Sequence, residues 1–440
     1  MRNLSSSIAK VRSSFFGERT VLPSQLSGTF HKAILFQICI TAGFEAIFVL
    51  GALSAQRITG TDQIFGLAST TAFAFGQLAI SLPTGRWMDR YGRKPVLFSG
   101  ALVEATGLFL IGISIPIESQ LLITLGLLLL GLGSGIAQMA YLIGGDIFPP
   151  ARRAEGLGIM NSVIAVGVVL GPYLVGLIGD AATAINLDKL STPWFVMGGL
   201  VAIAAWIMHH LKPEPLEVAR KPYQYYPEIK SEFSTPESNH GSLNQRSKSG
   251  LFTYPMVASI GITFCFQGTR MSIIPLLTYI LVAKGYSLTT GAIMVAAMGL
   301  GMVVAAIPSG HLGDRLGRKK PLLMAGVVGT LTAALIPQVA SAVLIFILLF
   351  LMGAAFITML TMTRVIITDV TKVDQRASAM AFSMIAVGIA VVIFPTVASY
   401  ILNRWGWSSI SWLSVILMSL ALLQIFFLQE KGVGGWNLEE

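Results

Sequence analysis

Twelve long apolar stretches set what this chain can fold into. They are centred near residues 44, 73, 105, 132, 168, 203, 265, 298, 330, 354, 389 and 417. A helix needs roughly 18 or more such residues to cross the hydrocarbon core of a bilayer. A soluble domain could not hide a composition that is 54% hydrophobic and 12% charged. The sequence therefore predicts an all-α membrane protein with twelve transmembrane helices.

A ten-residue segment occurs twice in the chain. Residues 85–94 read GRWMDRYGRK, and residues 310–319, which lie 225 positions later, read GHLGDRLGRK. Gly43, Gly60, Gly66, Gly76 and Pro83 fall at the same offset on Gly268, Gly285, Gly291, Gly301 and Pro308, while Asp146, Arg153 and Pro172 fall on Asp369, Arg376 and Pro395 at an offset of 223. Repeats of this size are typical of transporters. We therefore expect two pseudo-symmetric six-helix bundles around a central cavity.

The cationic side chains predict the orientation of the chain in the membrane. The formal net charge is +9. One set of loops holds Arg86, Arg90, Arg93, Lys94, Arg152, Arg153, Arg315, Arg318, Lys319, Lys320, Lys372 and Arg376, and the other set holds Arg57, Lys189, Lys284 and Arg404. Because cytoplasmic loops carry the excess of lysine and arginine, we expect both termini in the cytoplasm, in a multi-pass protein of the cell (inner) membrane. The charge thus indicates topology and no nucleic-acid partner.

The same pattern predicts the domain boundaries. We expect a cytoplasmic tail over residues 1–31, a six-helix bundle over 32–212, a proline-containing cytoplasmic linker over 213–250, a second bundle over 251–429 and a tail over 430–440. The two cysteines, Cys39 and Cys265, fall inside spans and predict no disulfide framework. Neither a phosphate-binding glycine loop nor clustered metal ligands occur, so we expect no cofactor, no metal, and neither an enzyme nor an ATP-driven pump.

Polar side chains recur at helical spacing in four spans. They are Gln37, Thr41 and Glu45 in the first, Ser134, Gln138 and Tyr141 in the fourth, Thr263, Gln267 and Arg270 in the seventh, and Thr358, Thr361 and Arg364 in the tenth. Because such groups are costly in hydrocarbon, they tend to face a bundle interior or a wet cavity. We predict a substrate cavity lined by Gln37, Thr41, Glu45, Gln138, Tyr141, Thr263, Gln267, Arg270 and Thr361. The alternative is that these stripes form hydrogen bonds between helices.

Glu45 is the first candidate for proton coupling. It lies near the middle of span one, where its protonation could change as a cavity opens and closes. Since 45 plus 225 is 270, Arg270 is its equivalent in the second half. We expect the two to face each other and to pair, directly or through water, in the absence of substrate; the alternative is a static ion pair. Glu104 in span three is a second coupling candidate, with packing as a buried carboxyl as its alternative.

The repeated ten-residue segment resembles the signature loop of the major facilitator superfamily, and with twelve spans and a central loop the resemblance covers about residues 30–430. It implies that spans one, four, seven and ten surround the cavity and that the loops latch the halves. The gating residues it implies are Gly85, Asp89, Arg90, Gly92, Arg93 and Asp146, with Gly310, Asp314, Arg315, Gly317, Arg318 and Asp369. We expect Gly85 and Gly92 to permit a tight turn with close backbone approach. The alternative is that the charges only fix topology and contact anionic lipids.

Span five contains a second, partial resemblance. Gly167, Gly171, Pro172 and Gly176 are similar to an element of proton-coupled drug antiporters, although Val175 replaces one of its paired glycines. Small residues allow close packing, and the proline loosens the helix. Such antiporters also commonly carry an arginine within span four, and this chain has none between Gln120 and Gly145.

The leading functional hypothesis is a secondary transporter working by alternating access. We expect it to export amphipathic small molecules in exchange for protons, as a monomer whose only other partner is the lipid bilayer. The alternative is a symporter or facilitator for a polar metabolite such as a sugar or organic anion, with Arg270 binding a carboxylate. A receptor or scaffold would need neither the doubled loop nor charge at mid-membrane.

Overall fold

The computed structural model describes residues 22–60, 71–148, 153–226, 253–370 and 376–430, with the side chains of Asp89 and Asp314 outside that description. Six helical rods form the first half. They are α1 (Ser24–Ala46, continued by a π-helical segment Ile47–Gly51 and by Ala52–Thr59), α2 (Thr71–Tyr91), α3 (Arg93–Ser114), α4 (Gln120–Ala137, a 3₁₀ turn Gln138–Tyr141 and Leu142–Ile147), α5 (Arg153–Ala184) and α6 (Ser191–His209).

The second half repeats this order. Its rods are α7 (Tyr254–Ala283), α8 (Leu288–Leu316), α9 (Lys319–Leu335, with the turn Ile336–Gln338), α10 (Ala342–Val370), α11 (Arg376–Trp405) and α12 (Ile410–Phe427, preceded by the turn Trp407–Ser409). Two short linker helices, Pro215–Arg220 and Pro222–Tyr225, follow α6. The first rod begins at Ser24, inside the segment expected as a tail.

Eleven of the rods in the described ranges are long and apolar enough to cross a membrane. The exception is α2, whose apolar part is Thr71–Ile80. Its last turns carry Arg86, Asp89 and Arg90 of the repeated segment, which lowers the hydropathy of that end. The prediction of an all-α membrane protein built from two repeated halves is confirmed.

Helix pairing follows the same scheme in both halves. In the first half α1 packs on α5 and α6, and α3 packs on α4 and α6; in the second, α7 packs on α11 and α12, and α9 on α10 and α12. The pairs α2 with α4 and α8 with α10 are also equivalent. Across the two halves, α5 contacts α8 and α11 contacts α2, which are again equivalent pairs. The halves are therefore related by an approximate two-fold axis.

Glycines bring the backbones of paired rods close together. A Cβ added at Gly131 of α4 would lie 2.0 Å from the carbonyl oxygen of Phe73 in α2. In the second half, a Cβ at Gly301 of α8 would lie 1.9 Å from the carbonyl oxygen of Phe350 in α10. Small residues are favoured at membrane helix contacts because burial from water does not drive them together. These seams hold neighbouring rods of each half in close backbone contact.

We name the two membrane faces by their loops. The linker face holds Gly92, the linker helices and Gly317, and the far face holds Gly60, Asn186 and Gly285. Gly60 ends α1 with a φ of 64°, and Gly285 follows α7 with a φ of 89°. Glycine adopts positive φ readily because it has no Cβ. Because these glycines are 225 positions apart, the far-face turns also repeat.

Candidate functional site

Glu45 lies in the part of α1 that meets both α5 and the second half. Its residue is 2% exposed, and it forms no hydrogen bond within the described part of the chain. A Cβ added at Gly171 of α5 would lie 2.9 Å from the Glu45 Cβ, so the α5 backbone approaches closely there. The π-helical segment begins two residues later, at Ile47. Such interruptions of the regular helix are frequent at functional sites.

Arg270 of α7 lies between aromatic rings from both halves. Its guanidinium carbon is 5.2 Å from the ring centre of Phe48 in α1 and 5.2 Å from that of Phe356 in α10. Both contacts are within the range of cation–π attraction. Its Nε atom is buried and has no acceptor among the described residues. The π-helical segment thus supplies one of the two rings that hold the arginine.

Glu45 and Arg270 are close, but they do not form a direct ion pair. Each contributes to the other's electrostatic environment, as the repeat offset predicts. Within the described residues, however, no nitrogen–oxygen distance of 4.0 Å or less joins them. The direct form of the expected pairing is therefore absent among the described residues, and the guanidinium stacks between two phenylalanine rings; pairing through water stays a prediction.

The other predicted cavity residues of α1 and α7 are largely used within the helix bundle. Gln37 Nε2 donates to Thr41 Oγ1 at 3.1 Å, and both residues are at most 1% exposed. Thr263 Oγ1 donates to the Ser259 carbonyl at 2.8 Å and lies 3.3 Å from Thr363 Oγ1 of α10. Gln267 is 6% exposed. The interhelical hydrogen-bond alternative thus describes Thr263.

The candidates on α4 and α10 are half-buried. Gln138 and Tyr141 lie in the 3₁₀ turn of α4, and Gln138 Nε2 is buried without an acceptor. Thr361 Oγ1 donates to the Ile357 carbonyl at 2.8 Å. Tyr141 contributes to the electrostatic environment of Arg364 on α10, which belongs to the other half.

Glu104 occupies a different environment from Glu45. It is 0% exposed, and neither carboxyl oxygen has a hydrogen-bond partner. A Cβ at Gly133 of α4 would lie 2.2 Å from the Glu104 backbone nitrogen, and one at Gly43 of α1 would lie 3.5 Å from its Oε1. The side chain is enclosed between α1, α3 and α4, and neither Arg270 nor Arg364 contributes to its electrostatic environment.

The first predicted gate assembles at the linker face. Arg93 Nε donates to Asp146 Oδ2 at 2.7 Å, joining the start of α3 to the end of α4. A carboxylate that sequence reasoning missed completes it: Glu214 accepts from the backbone nitrogens of Arg93 at 2.6 Å and of Lys94 at 3.2 Å. These are free N–H groups of the first turn of α3, where negative charge is favoured. Gly92, with φ 98°, leaves room for the carboxylate.

The residues of the second predicted gate are arranged in the same way. Arg318 Nε lies 3.4 Å from Asp369 Oδ2, and Glu430 accepts from the backbone nitrogens of Arg318 at 2.7 Å and Lys319 at 2.8 Å. Gly317 has φ 83° and faces Glu430 as Gly92 faces Glu214.

The remaining predicted gate positions differ in what the structure shows of them. Gly85 and Gly310 lie inside α2 and α8, and a Cβ there would meet no atom of the described residues within 4 Å. The expected close approach at Gly85 is therefore wrong. Arg90 and Arg315 are exposed at the ends of the same helices, and the predicted roles of Asp89 and Asp314 fall on side chains outside the described set.

The α5 motif packs against both halves. A Cβ at Gly167 would lie 2.5 Å from Thr41 Cβ of α1, next to the contact of Gly171 with Glu45. About one helical turn after Pro172, a Cβ at Gly176 would lie 2.8 Å from Ala292 Cβ of α8. The small residues thus place α5 between the buried carboxylate and the other half.

The halves are joined near the far face. Gln56 Nε2 donates to Tyr279 OH at 3.3 Å, and Thr289 Oγ1 donates to Asp180 Oδ2. A pocket of about 740 Å³ lies between the halves here, and residues from both line it, among them Leu53, Arg57, Lys189, Val282, Tyr286 and Leu288.

An ion pair braces this face. Arg57 Nη1 lies 2.5 Å from Asp188 Oδ2, while the backbone nitrogens of Leu190 and Ser191 donate to Asp188 Oδ1 at 2.8 and 3.1 Å. Partial burial raises the pKa of the Asp188 carboxyl, but these donors and Arg57 outweigh it and hold that pKa below its ordinary value. Asp188 is therefore a stable anion that fixes the end of α1.

The fold and the site define a multi-pass membrane protein of two equivalent six-helix halves that enclose buried charge. The family model of the Major Facilitator Superfamily matches residues 33–254 and 259–439. The chain belongs to this superfamily and is a membrane transporter.

Similar proteins point the same way. An uncharacterised superfamily transporter of Bacillus subtilis, YdeG, is 27% identical over 79% of this chain and 80% of its own length. The multi-drug resistance efflux pump PmrA of Streptococcus pneumoniae is 20% identical over 88% of this chain and 90% of its length. A solved bacterial homologue of the human lysosomal transporter Spinster, inward-facing and occupied, shares the fold with a TM-score of 0.65 at 14% identity, covering 90% of this chain and 94% of that one.

Proposed function

We propose that this protein is a secondary active transporter that works by alternating access and exports amphipathic small molecules in exchange for protons. The observation that carries the proposal is Glu45, an almost fully buried carboxyl on α1 that shares an electrostatic environment with Arg270 of the other half. A carboxyl between two moving halves can change its proton occupancy when water reaches it from either face. The similarity to PmrA, which is a multi-drug efflux pump, supports export.

The contacts between the halves support a rocking motion. The hydrogen bonds Gln56–Tyr279 and Asp180–Thr289 lie near the far face, while the gates at the linker face are formed within each half. The described state is therefore proposed to open toward the linker face. By the positive-inside rule that face and both termini are cytoplasmic, in a cell (inner) membrane.

A second candidate is a symporter or facilitator for a polar metabolite such as an organic anion. The observation that favours it is Arg270, whose buried Nε has no acceptor. A guanidinium in that state is suited to bind a carboxylate.

The test is flux in proteoliposomes with an imposed pH gradient. We expect labelled tetraphenylphosphonium or 2-naphthoate to move against its own gradient in the wild type. Glu45→Gln should abolish the response to the pH gradient and keep downhill exchange, since it removes the proton site and little volume. The control is Glu217→Gln on the linker helix, which should behave as wild type because Glu217 is half exposed.

Gradient-driven flux that survives Glu45→Gln unchanged would remove Glu45 as the coupling site. Wild-type exchange without any response to the gradient would favour the facilitator.

A further inference from the structure

Two arginines lie inside the membrane-spanning rods of the second half without an ion-paired acid in the part of the chain that the structure describes. Arg270 on α7 and Arg364 on α10 each form no hydrogen bond and no ion pair there. The electrostatic neighbour of Arg364 is Tyr141, which is not an acid. A guanidinium keeps its charge and offers five N–H donors. Leaving two such groups without an ion-pair partner inside a membrane is therefore costly in free energy.

The buried acids do not balance these charges. Glu45 influences Arg270 alone, and Glu104 is enclosed between α1, α3 and α4 with no electrostatic influence from either arginine. Among the described side chains, Glu45 is the one acid that influences either of these two arginines, so one acid faces two cations there. A mobile anion would complete this set.

The surroundings of Arg270 define the rest of the ligand. Phe48 and Phe356 place a ring on it from each half, and Phe266 packs on Phe356 with ring centres 5.1 Å apart. A ligand whose acidic group reaches this guanidinium therefore meets apolar, aromatic walls. Apolar walls with a few fixed polar groups are the usual construction of a small-molecule site.

Arg364 lies on the side of this site nearer the linker face. It follows Phe356 by eight residues on α10, a rise of roughly 12 Å along the helix. It is half-buried and sits across from Tyr141 of the first half. A positive charge in that position attracts anions toward the deeper arginine.

We propose that the transported substrate is an amphipathic organic anion that binds Arg270 through its acidic group and Phe48 and Phe356 through its apolar body, with Arg364 guiding its passage. This inference rests on the proposed transport function of the same site. Glu45 competes with the ligand for Arg270, so neutralising Glu45 strengthens anion binding. Tighter anion binding in a variant without the Glu45 charge would identify Glu45 as a competitor of the ligand, whereas weaker binding would identify it as a structural support of the site.

The test uses three probes that share one ring system and differ in charge. They are 2-naphthoate, 2-naphthylmethylammonium and 2-naphthylmethanol, titrated by calorimetry into the purified full-length protein in detergent. We expect 2-naphthoate to bind at least tenfold more tightly than the other two. Glu45→Gln should tighten its binding several-fold, Arg364→Met should weaken it several-fold, and Arg270→Met should weaken it tenfold or more.

The matched control is Arg404→Met, which removes an exposed arginine at the far end of α11 and should leave binding unchanged. Should Arg270→Met not fold, Arg270→Lys, which keeps the charge and loses the planar fork, is expected to weaken binding by a smaller factor. Equal or tighter binding of the ammonium or the alcohol overturns the proposal. So do unchanged binding in Arg270→Met and absence of binding by all three probes.

Counterflow of the same three probes in proteoliposomes separates this inference from the proposed function. Counterflow of the ammonium in preference to the anion would agree with the proposed transport function and would overturn the proposal that the substrate is an anion. Anion binding to Arg270 with no counterflow of any probe would contradict the transport function and leave the ligand class standing.

Discussion

Glu45 and Glu104 are both buried carboxyls, yet their neighbours give them different chemistry. Glu45 shares its surroundings with Arg270 and the close backbone of Gly171. Glu104 meets the α4 backbone at Gly133 and no cation. Of the two, Glu45 lies beside a cation of the other half, so we expect its protonation to change the charge of a site between the halves. Coupling is thus expected to depend on Glu45.

Two further carboxyls act at the residue scale by holding helix starts. Glu214 accepts from the first N–H groups of α3, and Glu430 from those of α9. Each follows the last rod of its own half and returns to the third rod, so each closes a six-helix bundle on itself. The negative charge of each carboxylate is also stabilised by the positive N-terminal end of the helix dipole.

Replacing Glu214 with alanine should destabilise the first half. The variant loses the acceptor for two backbone N–H groups, and losing a helix cap typically costs about 0.5–2 kcal/mol. The measurement is the melting temperature of the purified protein. Glu217→Ala on the same linker helix is the control, since its contact with Lys221 is exposed. Equal melting temperatures of the two variants would show that Glu214 is not a cap.

The family resemblance named Arg93, Asp146, Arg318 and Asp369 as gating residues, and their repetition at offsets of 225 and 223 supported that assignment. Sequence reasoning missed Glu214 and Glu430 because these are 216 positions apart, an offset that neither 225 nor 223 detects. The signal that could have found them is an acidic residue just after the sixth and the twelfth span. The stacking of Arg270 on Phe48 could not be predicted, since it depends on the π-helical segment.

At the scale of elements, backbone contact through glycine decides how the rods pair. Gly353 of α10 and Gly301 of α8 make one seam, and Gly76 and Gly131 make its equivalent between α2 and α4. In lipid these contacts rely on van der Waals packing over a close approach. These seams join rods of one half, while the contacts of α5 with α8 and of α11 with α2 join the two halves.

A methyl group at Gly301 should loosen its seam. Its Cβ would lie 1.9 Å from the Phe350 carbonyl oxygen, so the helices must separate. Overpacking of this kind costs about 1–3 kcal/mol. We expect Gly301→Ala to lower the thermal unfolding midpoint in detergent. Gly199→Ala is the control, because a Cβ there meets nothing within 4 Å. A midpoint at least as high in Gly301→Ala as in the control would contradict the seam.

At the scale of the molecule, the sequence predicted the architecture well because the repeat constrains it. Gly60 with Gly285 and Gly92 with Gly317 keep both their spacing and their backbone conformation. What the repeat could not predict is the face on which the halves touch. Both halves carry the same motifs, so their relative tilt depends on side-chain contacts such as Gln56–Tyr279 and Asp180–Thr289.

A reversible crosslink between the halves tests whether they alternate around the buried charges. Gly176 of α5 and Ala292 of α8 face each other across the halves, with the added Cβ 2.8 Å from the Ala292 Cβ. Cysteines at this spacing can form a disulfide after slight separation. The pair Gly176→Cys and Ala292→Cys is placed in a protein in which Cys39 and Cys265 are replaced by alanine.

Flux in proteoliposomes is then measured in the reduced, oxidised and re-reduced protein, with each single cysteine as control. The account predicts that oxidation stops flux, that re-reduction restores it, and that neither single variant responds. Undiminished flux in the fully crosslinked protein would contradict alternation of the halves. Substrate would then cross the membrane while α5 and α8 stay joined near the far face.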